Sequence, residues 1–270
     1  LEYRIKKEAP PVWDRTILKA NARAALRDRY WNAFLVCVLA SVLNGGLFDI
    51  VFRRDWDFSK AVLDPYGYGA SFARDYEPLR FFLLLYGIFV GIPVAIGLAR
   101  YFVRNRFGAA ETETLFSGFR YGYLNGIGAM FVTRIFIVLW FFVLVIPGFV
   151  KLVQYSMVPF LLSDNPELPG SRARQISRMM TDGEKGSIFV LWLSFFGWFL
   201  LAAVAGAIFF WFSPYLGSLF AGAASLFIVP YYKATMAELY LFLRDRGIRS
   251  GMIHPAELGL SMPGADPSAR

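Results

Sequence analysis

Four ionisable side chains stand inside or at the edge of long apolar stretches of this sequence, Asp49, Arg134, Lys233 and Glu238. Any chemistry at membrane depth would be built from them. A charge near the centre of a bilayer costs at least ~2.5 kcal/mol, so it needs a counter-charge, water or an interface within reach. Arg134 lies between GIGAMFVT and IFIVLWFF, about eleven residues into its stretch and so near the midplane. Two readings of it stay open. Its guanidinium runs back along the helix to the cytoplasmic interface on a long stem, or it faces a cavity that takes an anion or a lipid headgroup. Lys233, Glu238 and Asp49 are its candidate counter-charges, and an intramembrane enzyme would need these groups to converge within hydrogen-bonding range.

Other chemistry has little to stand on. The one histidine, His254, precedes Pro255 in a Gly- and Pro-rich stretch, and the one cysteine, Cys37, is centred in an apolar run, where a free thiol behaves as a small hydrophobe. One cysteine excludes an intrachain disulfide, and with one histidine it excludes a His/Cys metal cluster. HExxH, GxSxG and GxxxxGK[ST] do not occur, which removes the usual metalloprotease, serine-hydrolase and nucleotide-binding signatures. No catalytic residue, metal or cofactor is expected. Asp164, Asn165 and Glu167 read as helix caps and stops, and Trp192, Trp198, Trp211, Tyr215, Tyr231 and Tyr232 as interfacial belts.

The elements that must position these groups are apolar to a degree no soluble domain needs. Hydrophobic residues make up 57% of the chain and charged residues 18%, against about 25% charged in ordinary soluble domains. The charges are also segregated: Tyr30 to Phe48, Phe81 to Ala99 and the 47 residues from Gly186 to Tyr232 carry none. About 20 apolar residues cross a bilayer as a helix, so the last tract alone is long enough for two crossings. The organising stretch runs from Asn125 to Pro166, with Pro147-Gly148 inside it. A proline followed by a glycine predicts the end of one helix and a reversal into the next.

In chain order, residues 1–13 read as a flexible basic N-terminus, 14–246 as one helical membrane domain and 247–270 as a flexible Gly/Pro/Ser-rich tail. Spans are expected at about 30–50, 81–101, 123–146, 148–163, 187–211 and 215–242, the fourth short enough to be a thinned or re-entrant crossing. Pro93 predicts a kink in the second, where Gly87, Gly91 and Ala95 would admit a neighbouring helix. The fold class is therefore an all-α integral membrane protein, about six transmembrane helices in three hairpins, with amphipathic cytoplasmic surface helices. The first of these, Asp14 to Arg29, has Asp14 as N-cap, an apolar side of Ile17, Leu18, Ala22, Ala25 and Leu26, and a basic surround of Arg15, Lys19, Arg23 and Arg27. A position flat on the anionic leaflet fits that pattern, as does a solvated helix of a cytoplasmic cap. Glu111 to Phe119 gives a second surface segment, and the stripe Ala173, Ile176, Met179 and Met180 a third.

Orientation follows from the cations. On the six-span reading 21 of the 28 lysines and arginines fall on one side and 6 on the other, with Arg134 inside a span. The positive-inside rule makes that side, and both termini, cytoplasmic. The net charge of +8 is explained by cations bordering apolar spans, so nucleic acid is not an expected partner. Membrane lipids are, anionic ones included, with a membrane-protein partner or a homo-oligomer as open alternatives.

The runs IPGFVKLVQYSMVPFLLSDNPEL, SRMMTDGEKGSIFVLWLSFFGW, PYYKATMAELY and ARYFVRN…LFSGF resemble the bacterial DUF975 family of membrane proteins of unknown function, over about Asp14 to Arg246. The resemblance implies a polytopic helical protein of the bacterial cytoplasmic membrane and brings no catalytic or ligand residues with it. The charged, turn-rich segment Arg53 to Arg80 departs from the family pattern. Three functional classes follow. A non-enzymatic protein that organises or assists membrane processes leads. A transporter, channel or carrier of lipids or hydrophobic ligands, with a polar site at Arg134, comes second, and an intramembrane enzyme third.

Overall fold

The computed structural model describes residues 13–46 and 81–260, and every regular element among them is helical. In chain order these are α1 (Arg15–Leu26), α2 (Tyr30–Ser41), α3 (Phe81–Arg106), α4 (Ser117–Arg120), α5 (Tyr123–Val143), α6 (Val145–Gln154), α7 (Val158–Asp164), α8 (Gly170–Met180), α9 (Lys185–Phe210) and α10 (Pro214–Arg249). Short 3-10 turns cover Thr112–Phe116 and Pro255–Leu258. Four stretches are long and apolar enough to cross a membrane: α3, α5, the combined α6–α7 and α9. Helix α2 with the π-helical turn after it is apolar but shorter. Six such stretches are not shown. The N-terminal segment before Trp13, the Arg53 to Arg80 segment, Asp49 and the last ten residues lie outside the described residues.

Helix α1 starts as its sequence predicts. Asp14 is extended, and its carboxylate accepts from the Thr16 backbone N–H at 2.9 Å, filling one of the orphan donors of the first turn. Its apolar residues Leu18, Ala22 and Leu26 are buried against protein, along the C-terminal half of α10. That packing takes most of the apolar side of α1 away from a lipid surface and leaves Ile17 exposed beside Arg15, Arg23 and Arg27.

Helix α3 is the axis of the core. It passes through Pro93 as an α-helix after a wider π turn at Gly87–Gly91. Proline removes the N–H that would bond four residues back. Here that acceptor is the Phe89 carbonyl, and the Tyr123 hydroxyl donates to it at 2.9 Å. The expected close approach at Gly87 and Gly91 is only partly realised. A side chain at Gly87 would meet nothing, whereas one at Gly91 would meet Asn44 at 2.9 Å. The tight contacts are at Gly97, pressed on the Leu115 backbone, and at Gly118, pressed on Pro93. These two glycines let the 112–120 segment fold back along α3.

The α5–α6 reversal comes three residues earlier than the Pro147-Gly148 pair predicts. Leu144 breaks the helix in extended geometry (φ −158°, ψ 143°), and Pro147 falls inside the first turn of α6. A proline there loses no hydrogen bond, since first-turn N–H groups are orphans in any case. Gly148 is used instead for packing, against the ring of Phe141. Helix α6 ends at Tyr155, and after a turn α7 continues into the core with Val158, Phe160, Leu161, Leu162 and Ser163 buried.

The second long hairpin, α9–α10, turns where expected: Ser213 is the extended N-cap and Pro214 the first helical residue. Gly206 lies against Ala221 and Gly217, and Phe209 stacks on Phe220 with ring centroids 3.8 Å apart. Near Pro230, inside α10, the Tyr30 hydroxyl donates to the Phe227 carbonyl at 2.8 Å. Composition predicts a flexible tail after Arg246, but the chain is ordered to Leu260. Helix α10 continues to Arg249, and Ile253 and Leu258 are buried at about 1% exposure each. Gly251 and Gly259, both at positive φ, supply the two tight turns that bring those side chains back to the core.

Candidate functional site

Most ion pairs among the described residues meet in one polar base, where α1, the end of α3, the 164–185 segment and the last turns of α10 come together. Asp164 closes α7 and is almost buried. Its Oδ2 accepts from the Tyr240 hydroxyl at 2.6 Å and pairs with Arg244 Nη1 at 3.0 Å. Burial works against the Arg244 charge, but Asp164 and Tyr240 outweigh it and hold the guanidinium above its ordinary range. Arg100, buried on α3, donates from Nε to the Ser163 carbonyl at 2.7 Å and lies over the Tyr121 ring. Arg246 pairs with Glu184 at 2.6 Å and donates to the Met180 carbonyl. Arg172 grips Glu257 through both carboxylate oxygens, which fastens the C-terminal turn to α8.

A second group lies beside it. Glu238, buried on α10, pairs with Arg106 Nε at 2.6 Å. Asn105 donates to the Ala25 carbonyl at 3.1 Å, and Arg29 to the Gly108 carbonyl, so the end of α3 is held to the α1–α2 corner. A cleft of about 360 Å3 opens here between α1 and α10, lined by Trp13, Asp14, Asn21, Arg106, Glu238 and Asp245 among others.

The four intramembrane candidates do not converge among the described residues. Arg134 is exposed on α5, between Ala129 and Phe136. That same stretch carries Arg174 of α8, whose Nη1 donates to the Ala129 carbonyl and whose guanidinium lies 5.6 Å from the Phe136 ring centroid. Arg134 is thus level with a charged helix, and it lines neither the cleft at Glu238 nor the cavity at Lys233. Glu238 is paired with Arg106 and not with Arg134. Lys233 is half-buried, 5.9 Å from the Tyr232 ring centroid and within electrostatic reach of Cys37. It lines a small cavity of about 80 Å3 with Ala95, Leu98, Phe102, Met130 and Phe160. Asp49 lies outside the described residues. Of the four surface cations, Arg15, Arg23 and Arg27 are exposed and Lys19 is half-buried, its Nζ 4.6 Å from the Phe195 ring centroid.

Sequence reasoning missed the partners of Asp164, Glu238 and Glu184, because each is 62 or more residues away along the chain and nothing local marks it. It also missed a cationic cluster beside the α5–α6 hairpin. Lys151 lies over the Trp140 ring at 5.0 Å, and Arg178 and Lys185 are near enough for their charges to act on it.

These features define an all-helical protein with several helices able to cross a membrane and a single ion-paired polar base. The chain belongs to the DUF975 family, described as a protein of unknown function, whose model matches residues 79–247. No curated protein and no solved structure matches the chain.

Proposed function

We propose that the chain is a non-enzymatic multi-pass protein of the bacterial cytoplasmic membrane that organises or assists other membrane components. It does so through lipid and protein contacts. The observation that carries this reading is the division of the fold. Every segment assigned to the cytoplasm by its cations is knit to another by ion pairs or hydrogen bonds: α1 to α3 through Asn105, α3 to α10 through Arg106, α10 to the 164–185 segment through Arg244 and Arg246. The apolar helices stand away from that base with little covering. Only 22% of the most apolar window of α9 and 28% of that of α5 are buried, so most of their surface is offered to lipid or to another protein.

The crossings in this reading are α3, α9, the apolar half of α10 and the apolar stretch at about 30–50 that begins with α2. The α5–α6 hairpin enters and returns on the same side. Helix α6 has ten residues between the break at Leu144 and Gln154, about 15 Å of helix, against a hydrocarbon core of about 30 Å. At its end the Gln154 carbonyl accepts from Ser177, on polar helix α8, at 2.7 Å. Four crossings keep both ends of the fold on one side, in line with the distribution of cations. A carrier would need a polar passage. The cavity at Lys233 has room for about three waters at ~30 Å3 each.

Single cysteines introduced into a Cys37→Ala background test the arrangement with a membrane-impermeant maleimide on intact cells. Phe212→Cys is labelled from outside, while Asp28→Cys, Asp182→Cys and Leu144→Cys are not. External labelling of Leu144→Cys restores six crossings, and external labelling of Asp28→Cys or Asp182→Cys ends the single-base reading. For the role itself, the protein purified from membranes retains anionic lipid or a stoichiometric protein partner. It loses part of that cargo when Arg15, Lys19, Arg23 and Arg27 are changed together to Gln. Purification with nothing retained, or turnover of a substrate by the pure protein, counts against it.

A further inference from the structure

Helices α6 and α9 flank an open groove that the fold leaves unfilled. It is about 310 Å3, apolar, and lined by Ile146, Phe149, Val150 and Val153 of α6 and by Gly186 and Phe189 of α9, with Lys185 at its rim. Phe149 and Phe189 meet edge to face across it. Lys151 follows Val150 of the lining, and Arg178 and Lys185 are near enough for their charges to act on it. Lys185 is the first residue of α9, Lys151 is one turn before the end of α6, and Arg178 is in the last turn of α8. Among the described residues the only carboxylate paired with any of them is Asp182, 2.8 Å from Lys185 and itself exposed to solvent. Among the described residues Arg178 has no ion-pair partner, and Lys151 has only the faces of Trp140 and Tyr155, at 5.0 and 5.8 Å. Three cations beside the one carboxylate of Asp182 leave a net positive charge, and the remaining repulsion is relieved by an anion.

We propose that this groove binds one anionic phospholipid, with the phosphate between Lys151, Arg178 and Lys185 and an acyl chain along Phe149, Val150 and Phe189. The inference rests on the membrane reading above and adds a defined ligand to it. Charge complementarity selects the occupant. A net positive cluster beside an apolar trough matches a headgroup and chain in one molecule, whereas a free anion would leave the trough exposed and a neutral lipid would leave the cations uncompensated. Trp140 and Tyr155, flanking Lys151, are the amphipathic rings that sit at headgroup depth.

The test uses full-length protein reconstituted in nanodiscs of phosphatidylglycerol and phosphatidylcholine, released into mild detergent and weighed by native mass spectrometry. Wild type retains one phosphatidylglycerol above the phosphatidylcholine background. The triple variant Lys151→Gln, Arg178→Gln, Lys185→Gln loses it, with retention down on the order of tenfold or more as three headgroup contacts go. Val150→Trp, which fills the trough and leaves every cation in place, loses it too. The α1 variant with four Gln substitutions keeps it, which separates this site from the basic helix. Equal retention by the triple variant, equal retention of phosphatidylcholine, or matching thermal stabilisation by inorganic phosphate alone overturns the proposal. A protein recovered without detergent would instead sink the membrane reading beneath it.

Discussion

Removing Asp164 tests whether the polar base is a brace. Its carboxylate is 11% exposed and its partner Arg244 12%, so neither charge can turn to water when the other is lost. Breaking a buried pair by deleting one member costs about 3–5 kcal/mol. Asp164→Ala belongs at the lower end of that range, about 3 kcal/mol, because Arg244 keeps a second, exposed carboxylate in Asp245 at 3.3 Å. Arg244→Ala leaves Asp164 with the Tyr240 hydroxyl alone as its direct partner and costs a similar amount. The double variant removes both charges together, so its cost falls short of the sum by roughly 2 kcal/mol, the coupling expected of directly bonded neighbours. Unfolding titrations of the purified protein, followed by tryptophan fluorescence, read all three. Were Asp164→Ala to stay within about 1 kcal/mol of wild type, or the two losses to add without coupling, the brace would be refuted and the pair would be an incidental surface contact.

Three further outcomes follow from the packing. Tyr123→Phe withdraws the hydroxyl from the Phe89 carbonyl opposite Pro93 and lowers stability by about 1 kcal/mol in the same titration, with no change in the amount inserted. Gly97→Ala forces a methyl group into the Leu115 backbone and abolishes or severely lowers the yield of folded protein in size-exclusion chromatography. Gly87→Ala, which meets open space, leaves the yield unchanged, and the contrast fails if both behave alike. Leu258→Ala opens a cavity under the C-terminal turn, costs about 2–3 kcal/mol, and makes residues 250–260 sensitive to limited proteolysis; unchanged resistance would mean the turn is not packed.

The helices were legible wherever a local signal decides them. Asp14 announced α1 through its short acceptor side chain, Ser213-Pro214 announced the last hairpin turn, and the spacing of Ala173, Ile176 and Met180 gave the buried stripe of α8. Two misreadings share a cause. At Pro147 the chain exploits a tolerance, since a proline in a first turn continues a helix as readily as one further along ends it. In the tail, Gly251 and Gly259 looked like freedom but are fixed turns that return Ile253 and Leu258 to the core. The candidate site was the least legible part, because ion pairs such as Asp164–Arg244 span 80 residues and a periodicity has no memory that long.

The Tyr123 hydroxyl that caps the carbonyl opposite Pro93 carries a consequence for how the protein is made. Phe89 leaves the ribosome 34 residues before Tyr123. Until then that carbonyl takes its partner from water, and the bond closes only as α3 and α5 pack, so it tightens the finished fold without steering the entry of either helix.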